Sequence, residues 1–305
     1  MSTKSATTPG SAAPSPTCAT PTGSSSSSPE ITRRYKAGIP WNELLPLGAR
    51  ALAASEVELI GVHAHFARHT RSPAAWEAMA RSFGQAVRRL CAAWEGWVPR
   101  ELDIGGGLPG GRDPTGRSIP RVAVDDDPIP PVARYAEAIC GGLADALEGS
   151  AVITAETTLE IEPKRACYAD TGVHLSRVVN VKTESEPKPL RFVELDTSEM
   201  FLLDIHLEHD RFAHIVASRA SQPATGLADL VGSSCGFDTI TANAPLPDVA
   251  ADDVLAFLGT GAYQEATATN FNALPRPATV LVSGDAARVV RRAETVEDVF
   301  ERDLE

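Results

Sequence analysis

The chain has 305 residues, 43% of them hydrophobic, and a formal net charge of −12. That length predicts one large or two medium domains with a real core, and an acidic balance lacking any Lys/Arg block excludes a nucleic-acid partner. Cys18, Cys91, Cys140, Cys167 and Cys235 are isolated and odd in number, which argues against a disulfide framework or a CxxC zinc site.

Residues 1–30 are rich in Ser, Thr, Pro, Ala and Gly and are expected as a disordered tail. No apolar run is long enough for a membrane span and no signal-peptide core is present, so the cytoplasm is the expected compartment. A globular pattern then begins. WNELLPLGARALAAS reads as a helix, and VELIGVHAH (Val57–His65) as a buried strand. In SPAAWEAMARSFGQAVRRLCAAW, Ser72 is placed as N-cap and Pro73 as the first helical residue. Trp76, Met79, Phe83, Val87, Leu90 and Trp94 fall on one stripe of that helix. ELDIGGGLPGG is a short strand entering a glycine loop. PPVARYAEAICGGLADALEG is a second amphipathic helix, with Val132, Tyr135, Ile139, Leu143 and Leu147 on one face. AVITAETTLEIEP (Ala151–Pro163) is another strand. Strands and helices alternating at this spacing predict parallel β/α units. After about Val181 the runs RFVELD, RFAHIVASRA, DVLAFLG and ATVLVSG, split by turn residues, predict a mostly β domain. The expected organisation is α/β plus β: residues 1–30 a tail, 31–183 an incomplete (β/α) barrel of about three strands, and 184–305 a C-terminal β domain.

Several stretches could carry chemistry. We expect His63 and His65 at the end of a strand to face opposite sides, and such a pair can hold a metal, as in amidohydrolases. A histidine that merely finishes a strand is the plainer reading. The glycines of LDIGGGLP expose successive N–H groups of the kind that bind phosphate, or simply make a turn. In LEIEPKRACYADTGV, Glu162 could pair with a ring nitrogen and Arg165 with a phosphate, or the two could be surface ions. Cys235 in VGSSCGFDTI and Tyr263 in GTGAYQEATATNFN are each open to a structural reading.

Taken in order, the HxH strand, LDIGGG, EPxR, a GSSC element and GAYxxxxxxNFN resemble the fold-type III pyridoxal-phosphate decarboxylases acting on diaminopimelate, ornithine or arginine. KAGIP at Lys36 and RRAETVEDVF near the end are similar to that family too. The resemblance implies an amino-acid decarboxylase using pyridoxal 5′-phosphate, a small amino-acid substrate and a homodimer. His65 would lie against the pyridine ring, with Gly105, Gly106 and Gly107 at the cofactor phosphate. Glu162 would face the pyridine nitrogen, Arg165 the phosphate or substrate, and Tyr263 the phosphate. Cys235 would help to protonate the product carbanion across a subunit interface, making Cys235 and His65 the catalytic candidates. No metal is implied.

The pattern is not followed throughout. The family's Schiff-base lysine lies in a YAxKAN-like stretch, and none of Lys4, Lys36, Lys164, Lys182 and Lys188 matches it. Arg68 replaces a phosphate-binding serine, and Lys164 replaces the glycine of EPGR. Gly236 stands where an acidic residue follows the cysteine, with Asp238 expected as its substitute. EMFLLDIHLEHD lacks the family's substrate arginine until Arg211. Three explanations are open: a truncated start, a separately encoded N-terminal half as partner, or a non-catalytic relative serving dimerisation or regulation. A metal hydrolase built on His63 and His65 is the reading from another class.

Overall fold

The computed structural model describes residues 5–7, 37–110, 129–207 and 212–304. Apart from Ser5–Thr7, the expected tail lies outside the described residues, as do Lys4, Lys36 and Arg211. The chain divides between Cys167 and Tyr168 into two compact units. That point precedes the expected 183/184 boundary, because one strand, Val173–Glu184, belongs to the second unit's sheet.

In the first unit four parallel strands lie side by side in chain order: β1 (Ser5–Thr7), β2 (Gly61–His63), β3 (Glu101–Gly106) and β4 (Thr158–Glu162). Helices α1 (Trp41–Ala53), α2 (Pro73–Ala93) and α3 (Val132–Leu147) accompany them. This is the incomplete barrel, with its three expected strands and a fourth from the N-terminal segment. Two expected strands are shorter than their apolar runs. β2 is only Gly61–His63. Ahead of β4, Thr154 and Thr157 close a turn, the Thr154 N–H donating to Thr157 Oγ1 at 3.0 Å.

The Ser72 side chain caps α2 as expected, accepting the Ala75 N–H at 3.3 Å. Trp76, Phe83, Val87, Leu90 and Trp94 are buried, and Met79 is partly so. On α3, Tyr135, Ile139, Leu143 and Leu147 are buried, but Val132 is exposed. It is the first helical residue after Pro131, ahead of the stripe that reaches the core. Trp76 and Tyr135 meet edge to face with ring centroids 6.5 Å apart. Trp76 Nε1 donates to the Thr70 carbonyl at 3.0 Å, and the Tyr135 hydroxyl to that of Arg71 at 2.8 Å. Both polar tips are thus satisfied, and both hold the loop that leaves β2.

The second unit carries a six-stranded sheet in the order β7-β10-β5-β6-β8-β9. Its strands are β5 (Val173–Glu184), β6 (Leu190–Leu195), β7 (His214–Val216), β8 (Gly226–Val231), β9 (Thr239–Leu246) and β10 (Val254–Leu258). All neighbours are antiparallel except β6 and β8. A separate hairpin joins β11 (Thr279–Ser283) to β12 (Ala286–Arg291). Val178, Val193, Leu230, Ile240, Leu255 and Phe257 lie in the core of the six-stranded sheet. The apolar runs point to β6, β7, β10 and β11. They miss β5, whose alternation is blurred by exposed Val173, Leu175 and Val179 and by a register shift between Val178 and Asn180.

Candidate functional site

The C-terminal ends of β2, β3 and β4 bring the first set of candidates together. β3 ends in the glycines, with Gly105 and Gly106 its last residues, and Gly106 registers against Glu162 of β4. Gly105 and Gly107 have φ of +74° and +104°, a region that L side chains rarely adopt. A Cβ on Gly107 would stand 2.2 Å from the Ala67 carbonyl oxygen, and one on Gly106 would stand 2.6 Å from that of Glu162. The backbone therefore forms a cradle that side chains would fill. Its donors are partly committed: Gly105 N–H donates to Asp103 Oδ1 at 2.8 Å and Gly106 N–H to His65 Nδ1 at 3.1 Å. The expected nest of three N–H groups thus narrows to the Gly107 end.

His63 and His65 do not face opposite sides. Residues two apart in an extended chain share a face, and the two rings meet edge on with centroids 6.3 Å apart. Because Nδ1 of His65 accepts from Gly106, the neutral ring carries its proton on Nε2. Burial holds the His65 pKa below its ordinary value of 6.5; His63 and Lys164 push the same way, while Glu162 and Asp103 oppose them. Glu162 Oε2 is 3.9 Å from His65 Nδ1 and accepts the Lys164 ammonium at 2.9 Å. That bond is the main cause of a Glu162 pKa below the usual carboxylate range. Arg165 follows at once, buried in the short helix Arg165–Tyr168.

One donor atom each from His63, His65 and Glu162 fall within 4.8 Å of one another. This is the cluster that a metal hydrolase would need. It suits a metal poorly: Nδ1 of His65 is engaged by a backbone N–H, and the carboxylate by an ammonium. A flat, phosphorylated pyridine fits better, with glycine backbone at one end and a carboxylate at the other.

Cys235 and Tyr263 belong to the second unit. Asp238 is buried, and its carboxylate accepts the N–H of Glu199 at 2.7 Å and of Ser234 at 2.6 Å. It holds the loop and is not turned outward in place of the acidic residue missing at Gly236. A Cβ on Gly232 would lie 2.5 Å from that carboxylate, so glycine is required there. Cys235 is exposed, its N–H donating to Asn272 Oδ1 at 3.0 Å. Tyr263, at φ +69°, precedes the turn Gln264–Thr267. Gln264 Nε2 donates to buried Asp204 at 2.7 Å, and Thr269 N–H to the Met200 carbonyl at 3.1 Å. The segments bearing Cys235 and Tyr263 are therefore both tied to residues 199–204. Glu199 in that segment is a buried carboxylate 3.0 Å from His206 Nε2. The sequence reading noticed this stretch only for the arginine it lacks; nothing in the local pattern marks Glu199, Asp204 or Gln264.

The chain belongs to the pyridoxal-dependent decarboxylases: residues 48–261 match the family model described as pyridoxal-dependent decarboxylase, C-terminal sheet domain. Among its relatives, the diaminopimelate decarboxylase of Zymomonas mobilis is 31% identical over 267 residues, covering 87% of this chain and 57% of that one. That of Pseudomonas aeruginosa is 30% identical over 269 residues, covering 88% and 58%. The chain thus spans little more than half the length of these relatives. The crystal structure of diaminopimelate decarboxylase from M. jannaschii superposes with a TM-score of 0.73 at 23% identity, over 90% of this chain and 59% of that one, a likeness of fold. The Helicobacter pylori enzyme complexed with L-lysine gives 0.68 at 25% identity, over 88% and 60%. Among the described residues no helix is long and apolar enough to cross a membrane.

Proposed function

We propose that this chain forms the cofactor-binding portion of a pyridoxal 5′-phosphate-dependent decarboxylase acting on a diamino or basic amino acid. The observation that carries the reading is the convergence of the glycine cradle, His65 and Glu162 at the ends of three neighbouring strands. When bound, a protonated pyridine takes up the electron pair left as the α-carboxylate departs as CO2. The residues would divide the work as follows. Gly107 and its neighbours meet the phosphate with backbone N–H, and Arg165 adds charge. His65, held neutral by burial, offers a flat face to the ring, and Glu162, held anionic, keeps the ring nitrogen protonated. As the family resemblance implies, Cys235 would supply a proton to the product across a subunit interface, and Tyr263 would touch a cofactor phosphate. The relatives' names and the L-lysine complex support the substrate class. A homodimer and a cytoplasmic setting complete the proposal, the latter supported by isolated cysteines.

The test mixes the purified chain with pyridoxal phosphate and follows cofactor absorbance, then CO2 release from diaminopimelate, ornithine and arginine. Saturable binding lost in Gly107→Ala and Glu162→Ala supports the reading. Binding unaffected by both substitutions overturns it, and binding without CO2 from any of the three fits a portion of the enzyme and the non-catalytic relative alike.

A further inference from the structure

Lys164 is the one lysine among the first unit's described residues, and it sits inside the candidate site. Three observations single it out. Its ammonium is 2.9 Å from Glu162 Oε2, on the carboxylate that would receive the pyridine nitrogen. Its backbone has φ +31°, in the left-handed region that favours glycine, so the position holds a side chain where the chain's own geometry suits none. Its positive charge acts on His65 as well, the ring beside the same carboxylate.

We propose that Lys164 is an internal counter-ion that competes with a cationic ring nitrogen for Glu162, so that the site takes up a protonated pyridine only when Lys164 swings off its carboxylate. This rests on the cofactor reading above. The competition is one of charge. A carboxylate accepts a pyridinium N–H or an ammonium N–H along the same oxygen lone pairs. With Lys164 in place, a ring proton and an ammonium would lie side by side, and like charges at that distance repel. The side chain is more than half exposed and can move into water, so the competition weakens binding without abolishing it. The consequence is a weaker hold on the protonated ring than Glu162 alone would give.

The experiment titrates the full chain with pyridoxine 5′-phosphate, which has the phosphate and ring nitrogen but no aldehyde to react with an amine. The variants are Lys164→Gln, Lys164→Gly and Lys164→Arg. Both charge-removing variants should bind about fivefold tighter than the parent, the scale of one partly exposed ion pair. Lys164→Arg should bind as the parent does. Equal or weaker binding in Lys164→Gln and Lys164→Gly overturns the proposal. So does recovery of a pyridoxyl group on Lys164 after borohydride reduction with pyridoxal phosphate, because the lysine would then be a covalent partner. A second readout needs no cofactor: the His65 ring titration followed by NMR should move to higher pH in Lys164→Gln, and an unmoved titration overturns the ion pair itself. If no form of the protein binds the ligand while His65 does move, the pair stands as placed and it is the cofactor reading, with the competition built on it, that has failed.

Discussion

The two units expose their polar chemistry in opposite ways. In the first, the candidate groups are mostly backbone and ring atoms gathered where parallel strands end, and the sheet supplies the convergence. In the second, buried carboxylates accept N–H groups from other segments: Asp238 from the backbone of Glu199 and Ser234, and Asp204 from the Gln264 side-chain amide. A parallel sheet aligns its strand ends by construction, so a site can be assembled from a few residues at each end. An antiparallel sheet with irregular connections has no such common rim, and side-chain anchors must fix each loop separately. The difference teaches where damage will be felt: in the first unit through packing under the strand ends, in the second through ionisation.

Four measurements sharpen or break that contrast. Trp76→Ala removes the largest buried side chain beneath the β2 loop and should cost the first unit about 4 kcal/mol. Denaturant unfolding followed by probes in each unit should show the second unit's transition unmoved. Acid should act the other way round. His174 of the second unit is buried and its pKa is pushed down to about 4 from 6.5, chiefly by desolvation. The unfolded chain then takes up a proton near 6.5 that the folded unit refuses until about 4, so stability is full above 6.5 and is lost as pH falls through that window. The loss amounts to roughly 3 kcal/mol. His174→Gln should flatten the slope, and a slope that survives this substitution would refute the assignment. Third, Gly107→Ala forces a side chain onto φ +104° and into the Ala67 carbonyl. Affinity for pyridoxal phosphate should fall by about tenfold or more in a binding titration, a loss on the order of 1.4 kcal/mol. The smallest effect is Ser72→Ala, which removes the α2 cap and should lower the first unit's stability by about 1 kcal/mol in the same unfolding assay.

The same contrast explains what could be read from the residues alone. The α2 cap at Ser72, its apolar stripe and the glycine run at the end of β3 are local signals, and each is where the sequence places it. His65, Gly105, Gly106, Gly107 and Glu162 were assigned to one site through the family resemblance of the motif order, and the structure brings His65, Gly106 and Glu162 together. The opposed histidines were a misjudged parity: residues two apart on a strand share a face. Strand lengths were overestimated because the apolar run begins ahead of the regular ladder, as at Val57 and Leu59 before β2. Asp238, Asp204 and Gln264 were illegible for a different reason. Their meaning lies in partners 39 and 60 residues away in the chain, and no pattern within a window of the sequence announces such a pairing.

The long strand β5 pairs with β10 along its first half, from Val173 to Arg177, and with β6 along its second, from Val178 to Glu184. It is a spine shared by two ladders, so opening either side exposes the flank of the other. Amide protons near its midpoint, around Arg177 and Val178, should therefore be the slowest in the unit to exchange with deuterated solvent, released only by complete unfolding.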